Sequence, residues 1–397
     1  MKWNFDEIIR REGTDCIKYD LRNETFGTGN VIPMWVADMD FKTPDFITEK
    51  IRKRIDHEIF GYSFRPAEYF NSIIRWLKLK HNWKIEKDWI SFCPGIVPAL
   101  NFCTLAFTRP GDSIIVQPPV YQPFFPAVES HGRNLIYNRL LEKEGKWIMD
   151  IESLETSIDK NTKMIIISNP HNPVGRSWSE AELVTLADIC LKNNIIILSD
   201  EIHCDLVLPG FKHTPIAGIS EKISDITVTF IAPSKTFNLA GLSTSSVIIK
   251  NDVLRKYFNR KIETLQVGNG NIFGTIASIA AYSGGEEWLE ALLDYIDKNV
   301  NFVMNYCSDH IPEIIPVRPE ATFLMWLDCR NLGMKGSELN EFFIQKAGIG
   351  LVEGSIFGQG GEGFMRINLG TNRKTVAIAM DNIKKAVQNL ELSKRRS

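Results

Sequence analysis

Five short runs rich in isoleucine and valine punctuate the middle of the chain, and they constrain its fold more than any other feature. They are Ser113–Val116 (SIIV), Lys163–Ser168 (KMIIIS), Asn194–Asp200 (NIIILSD), Asp225–Ala232 (DITVTFIA) and Ser245–Lys250 (SSVIIK). Their apolar residues are consecutive rather than alternating. A strand with one wet face alternates; a strand covered on both faces does not. Between the second and third runs, SEAELVTLADICLKNN carries a helix signature. Ser179 and Glu182 are spaced as a capping box, and Leu183, Leu186, Ala187, Cys190 and Leu191 recur at helical spacing. Strand, helix, strand in that order predicts an α/β fold, a mostly parallel sheet sandwiched by helices.

The last third changes character. EEWLEALLDYIDKNVNFVMNYCSDH (Glu286–His310) reads as a long amphipathic helix after the SGG break. ATFLMWLD, a helical GSELNEFFIQKAG, FMRINLG and a final helix from Lys374 to about Leu392 follow. This is the pattern of a smaller α+β domain. The first forty or so residues hold no complete βαβ unit and are expected to pack with it. A chain of 397 residues exceeds the roughly 250–300 that one core supports. We therefore expect a large domain at 46–284 and a small domain made of 1–45 and 285–397.

The charge balance excludes several functions. There are 46 basic and 48 acidic residues, net −2, so no nucleic-acid or membrane partner is indicated. The basic C-terminal SKRRS is short and reads as a solvated tail. The seven cysteines are odd in number, scattered and free of any C-x-x-C spacing. That usage fits reduced thiols in a cytoplasmic protein, with no disulfide framework and no metal site. The N-terminus has no apolar core of a secretory signal, and no apolar run approaches bilayer length.

In open α/β sheets, ligands bind beyond the carboxyl ends of the strands. The unusual residues fall there. SNPHNPVG (Ser168–Gly175) follows one run, SDEIH (Ser199–His203) the next, and APSK, ending in Lys235, the third. The plain reading of an acid and a lysine at such a place is an ion pair, which stabilises little when buried. A pyridine cofactor accounts for more. Pyridoxal 5′-phosphate is held by a lysine, here Lys235, and an acid opposite its ring nitrogen, here Asp200, keeps that nitrogen protonated. Asn172 would hydrogen-bond the ring oxygen, and His203 would face the same end of the site. In SFCPGIVPALNF (Ser91–Phe102), the Pro94-Gly95 turn precedes Ile96, Val97 and a helix opened by Pro98, which is a phosphate cradle. Ser234 can add a hydroxyl. Tyr121, in QPPVYQPF, reads either as a ring stacked on the cofactor or as a half-buried core tyrosine. The glycine-rich GNGNIFG and GQGGEG do not follow a strand and open a helix, so neither is a dinucleotide fingerprint.

SNPHNPVG, SDEIH and PSKTFNLAGL, in that order, resemble the fold-type I pyridoxal-phosphate enzymes of the aspartate aminotransferase superfamily, over essentially the whole chain. IPMWVADMDF (Ile32–Phe41), FGY (Phe60–Tyr62), CPGIVPALN and DEIHCDL resemble the cystathionine β-lyase and C–S lyase branch, which includes cystalysin-type enzymes and the maltose-regulon modulator. The resemblance implies the PLP-dependent transferase-like fold. It implies Lys235, Asp200 and Tyr121 as the catalytic set and Asn172 on the ring oxygen. The backbone of Ile96 and Val97 would hold the phosphate. Arg366, in FMRINLG, would grip the substrate α-carboxylate, beside Tyr121 and Asn172. Tyr62 would reach the partner's active site, which implies a homodimer with shared sites. Two positions depart from the wider superfamily. His203 stands where many aminotransferases have tyrosine, which favours the lyase branch. Ser243 stands where they have a phosphate-binding arginine, which leaves the phosphate less fully held.

The activity so implied is β-elimination from a small sulfur amino acid, such as cystathionine or cysteine, to pyruvate, ammonia and a thiol. Lys235, once displaced by the substrate amine, would act as the general base. Aminotransfer stays open, because it shares the same carbanion. A third reading, a protein that binds a transcription regulator, has no identifiable surface in the sequence.

Overall fold

A computed structural model describes residues 3–394. Part of the basic tail therefore lies outside the described residues. The five Ile/Val runs all form strands, and they are joined by two more. In chain order these are β1 (Ile90–Cys93), β2 (Ser113–Val116), β3 (Asn134–Tyr137), β4 (Thr162–Ser168), β5 (Ile196–Asp200), β6 (Thr227–Ile231) and β7 (Ser245–Ile249). They make one sheet in the order β1-β7-β6-β5-β4-β2-β3. The pairs β2–β3, β2–β4, β4–β5 and β5–β6 are parallel. β7 is antiparallel to both of its neighbours, so it alone runs backwards. Its run of isoleucines looks like the others because both of its faces are equally covered.

That double cover is visible residue by residue. Met164 and Ile166 of β4 face one apolar cluster with Leu198, Val228 and Phe230, while Ile165 and Ile167 face another with Ile197. Helix α1 (Ile96–Phe107) closes the first face and α2 (Glu180–Asn193) the second. The capping box of Ser179 and Glu182 forms as expected. On α2, Leu183, Leu186, Ala187 and Cys190 are buried; Ile189 is buried as well, and Leu191 only half so.

Helix α3 spans Glu286–His310, as the periodicity predicts, and α4 spans Arg373–Lys394. They cover a four-stranded antiparallel sheet built from Ile315–Val317, Leu324–Asp328, Val352–Glu353 and Phe364–Asn368. GSELNEFFIQKAG starts as an α-helix at Gly336 and widens to a π-helix over Phe342–Ala347. The N-terminal segment packs here too. Ile32–Pro33 pairs in parallel with Ile349–Gly350, and Asp40 N–H donates to Gly370 O (2.7 Å). Asn368 Nδ2 donates to the carbonyls of Val36 and Asp38, both at 2.6 Å. Below this strap, buried Lys18 bonds both oxygens of Asp40 at 3.0 Å, and Arg11 bridges Asp38 and Asp40. The core under the small sheet also includes Ile47, Ile73 and Trp76, so the two parts share apolar packing. The seven cysteines are unpaired, and among the described residues no helix is long and apolar enough to cross a membrane.

Gly175 shows how the loop after β4 is locked to the small sheet. Its φ is +74°, and its carbonyl accepts from the N–H groups of Glu320 and Ala321. A Cβ there would lie 2.8 Å from Pro319 Cβ. Gly175→Ala should therefore cost about 1–3 kcal/mol, combining left-handed backbone strain with overpacking. Urea unfolding measures it; an unchanged midpoint would show that the Pro319 segment moves aside freely.

Candidate active site

Parallel pairing puts the carboxyl ends of β4, β5 and β6 side by side: Ser168 is level with Asp200, and Asp200 with Phe230. β1 ends at the same edge, and the reversed β7 starts there, Ser245 opposite Cys93. A cavity of about 380 Å³ opens over this edge. Nine of the ten residues expected at the site line it: Lys235, Asp200, Asn172, Tyr121, His203, Arg366, Ser234, Ile96 and Val97. Tyr62 does not. It stands fully exposed beside a separate hollow lined by Phe64, Ile272 and Ile276.

Each side chain is placed by its local chain. Lys235 sits in the single helical turn Pro233–Thr236 directly after β6. Asn238, in the left-handed region at φ +58°, ties that turn to the strap through Met39 N–H and the carbonyls of Met39 and Phe41. Arg366 projects from the middle of a small-sheet strand and crosses to the large sheet. Its Nη1 donates to Asn172 Oδ1 (3.0 Å) and its Nη2 to Trp35 O (2.9 Å). The helix α1 begins at Ile96, not at Pro98. Pro98 falls in the first turn, where its missing N–H costs nothing. No side chain caps this terminus, so the N–H groups of Ile96 and Val97 face the cavity without an intrahelical acceptor.

Among the described residues, the site's charges form no ion pairs within 4.0 Å. Asp200 is buried and accepts only the Ile202 N–H (3.1 Å) among the described residues. Burial pushes its carboxyl up to about 7, against the pull of the Ile202 hydrogen bond and of Lys235. Lys235 Nζ donates to Ala37 O (2.6 Å). Burial and the nearby Arg366 bring the ammonium down to about 8, although Asp38 and Asp200 oppose this. Burial, Lys235 and Arg366 hold His203 neutral, and its Nδ1 has no partner among the described residues. Arg366 Nε is likewise buried and unpartnered. Burial raises the Tyr121 phenol further than Asp200 alone would. An acid, an amine, an imidazole and a guanidinium that converge on one space with unmet bonds form a receptor for a polar ligand. The donor set fits pyridoxal phosphate: an acid for a ring nitrogen, an amine for an aldehyde, and a helix terminus for a phosphate.

Two parts of the site were not legible as such. Val36 and Ala37 line the cavity and Ala37 holds Lys235, but they act through the backbone, which leaves no side-chain signal. Ser243, Thr244 and Ser245 also line it, at the end near α1, where the expected arginine is missing. The reversed β7 brings these hydroxyl residues there, and the strand's direction is not written in its composition.

Residues 30–383 match the family model described as aminotransferase class I and II. The chain is 43% identical over 385 residues to the Bacillus subtilis protein named cystathionine beta-lyase PatB, covering 97% of this chain and all of that one. Its backbone superposes on cystalysin from Treponema denticola, which contains a pyridoxal 5′-phosphate cofactor, with TM-score 0.95 and 39% identity, over 98% of this chain and 100% of that one. A pyridoxal-phosphate-bound structure from Clostridium difficile 630 gives TM-score 0.96 and 40% identity, over 97% and 100%.

Asp200 makes stability depend on pH. The folded chain keeps this proton to about pH 7, whereas an unfolded aspartate loses it near pH 3.9. Between those values the folded state binds one more proton than the unfolded state, so stability falls as pH rises. Asp200→Asn has no proton to lose. In ligand-free protein it should be more stable than wild type by roughly 1–3 kcal/mol at pH 7.5 and about equal at pH 4. Urea midpoints at both pH values test this; parallel pH slopes would mean that Asp200 is ionised and paired.

Proposed function

The chain belongs to the family of class I and II aminotransferases, in its cystathionine β-lyase and C–S lyase branch, and we propose that it cleaves the Cβ–S bond of sulfur amino acids such as cystathionine. The cofactor is pyridoxal 5′-phosphate. Lys235 would hold its aldehyde carbon, Asp200 its ring nitrogen, Asn172 its ring oxygen and Tyr121 its ring face. The free N–H groups of Ile96 and Val97, with hydroxyls from Ser234 and the Ser243–Ser245 segment, would take its phosphate. When bound, the group supplies an electron sink for a carbanion at the substrate Cα.

The chain's own residues do the rest. Arg366, already oriented by Asn172 and Trp35, lines the cavity and would take the substrate carboxylate with its guanidinium. This fixes the amino acid in one orientation. Lys235 Nζ, depressed to about 8, is neutral in a minority of molecules near physiological pH, far more than an ordinary lysine, and in that form can take the Cα proton. The strap lines the cavity, and its Ala37 carbonyl holds the amine in place. With the proton removed, the Cβ–S bond breaks, the sulfur takes up a proton and leaves as a thiol, and water hydrolyses the remaining three-carbon enamine to pyruvate and ammonia. One observation carries the proposal: a poised amine, a protonatable acid and a half-satisfied guanidinium around one cavity. His203 and the likeness to PatB favour elimination over aminotransfer.

We further infer a homodimer. The exposed Tyr62 lies on a surface with Phe60, Phe64 and Ile59, an apolar patch on an extended segment. In a symmetric pair this segment would bring Tyr62 of one protomer to the cavity of the other.

The purified protein with pyridoxal phosphate, L-cystathionine and no keto acid should release pyruvate steadily. A strict requirement for a keto acid would move aminotransfer to first place. Lys235→Ala should abolish the lysine-linked cofactor absorbance and lower turnover by about 10²–10⁴-fold. Arg366→Ala should raise KM roughly ten- to hundredfold, the equivalent of a charged hydrogen bond of about 1.5–3 kcal/mol; wild-type kinetics would place the carboxylate elsewhere.

A further inference from the structure

Behind the cavity, outside the residues that line it, a buried carboxylate joins the two catalytic turns. Asp205 lies on the turn that begins with Asp200, and Thr236 directly follows Lys235. Asp205 is 6% exposed and Thr236 is fully buried. Asp205 accepts from Thr236 Oγ1 (2.9 Å), Trp76 Nε1 (2.9 Å) and His81 Nε2 (2.8 Å). Burial alone would push this carboxyl up, but the bonds from His81, Trp76 and Thr236 outweigh it and keep the group ionised. The other end of the Asp200 turn is held in the same way. Glu201 accepts from Ser199 Oγ (2.9 Å) and His213 Nε2 (2.9 Å), and the His81 and His213 rings meet edge to face at 5.2 Å.

A buried charge with several donors is an expensive way to gain stability. Apolar residues of the same volume often do as well or better. What such a network supplies is a single geometry, since any displacement of Thr236 strands a buried acceptor. Lys235 has a long flexible stem, so its amine is only as well placed as its backbone. The one side-chain hydrogen bond between the Asp200 turn and the Lys235 turn, among the described residues, is Thr236 to Asp205.

We propose that Asp205 is a positioning residue: through Thr236 it fixes the turn carrying Lys235 against the turn carrying Asp200. This rests on the roles assigned to those two residues above. Neither Asp205 nor Thr236 touches the reacting atoms. Their loss acts on the lysine's placement, and therefore on proton transfer and cofactor capture rather than on carboxylate binding at Arg366.

Thr236→Val removes the hydroxyl at constant shape, and Thr236→Ser keeps it. The first measurement needs no amino-acid substrate: the rate at which ligand-free protein takes up pyridoxal phosphate into a borohydride-reducible link with Lys235. Thr236→Val should slow capture and lower kcat, each roughly ten- to hundredfold, with KM unchanged, as expected for a misplaced catalytic group. Thr236→Ser should restore both. Wild-type capture and kcat in Thr236→Val overturn the proposal, and so does an equal loss in the two variants, which would assign the effect to packing. If Thr236→Val does not fold, Asp205→Asn decides: slow capture supports the proposal and wild-type capture ends it. If wild-type protein makes no pyruvate, the lyase reading fails while the capture rates still test the clamp.

Discussion

Parallel pairing of β2, β4, β5 and β6 is the constraint on which the rest depends. It forces four chain segments to leave the sheet at one edge, their strand ends spread over only about three residues in register. Each segment contributes a different chemical group: Tyr121 after β2, Asn172 after β4, Asp200 at the end of β5 and Lys235 after β6. No sequence-local signal could bring these four together, since they span more than a hundred residues. The antiparallel β7 completes the arrangement by returning Ser243–Ser245 to the same edge.

The edge is expensive to build. Asp200, Arg366 and His203 are buried and Lys235 is half-buried, and burial penalises the charged form of each. A core made for stability alone would pair or omit them. Here they face a shared space, and the surrounding apolar clusters on both sheet faces supply the stability that the site lacks. The same tension sets the chemistry. In the ligand-free site, desolvation lowers the lysine towards neutrality, the state in which an amine can take a proton, and raises the acid towards protonation. The second layer, Glu201 and Asp205 with their histidines, holds the turns that carry these groups without entering the cavity.

The small sheet contributes reach rather than bulk. Arg366 comes from its centre, Asn368 of the same strand holds the strap, and the strap supplies Ala37. One strand therefore orients both the Arg366 guanidinium and the cover of the site. The Arg11, Lys18, Asp38 and Asp40 cluster fixes the strap from the other side.

Much of this was legible. The consecutive Ile/Val runs required a doubly covered sheet, and Met164 to Ile167 alternate between two cores as that reading demands. The polar motifs at the run ends named Lys235, Asp200 and Asn172, because such groups have few reasons to follow a buried strand. What the sequence determined by itself was therefore the fold class and the identity of the chemical groups, since hydrophobic periodicity and residue type are local properties. The direction of β7, the start of α1 at Ile96, the carbonyl of Ala37 and the bond from Thr236 to Asp205 were decided by tertiary structure alone. Each depends on which backbone and side-chain groups meet across long stretches of chain, and burial, which sets the poise of Asp200 and Lys235, exists only once they have met.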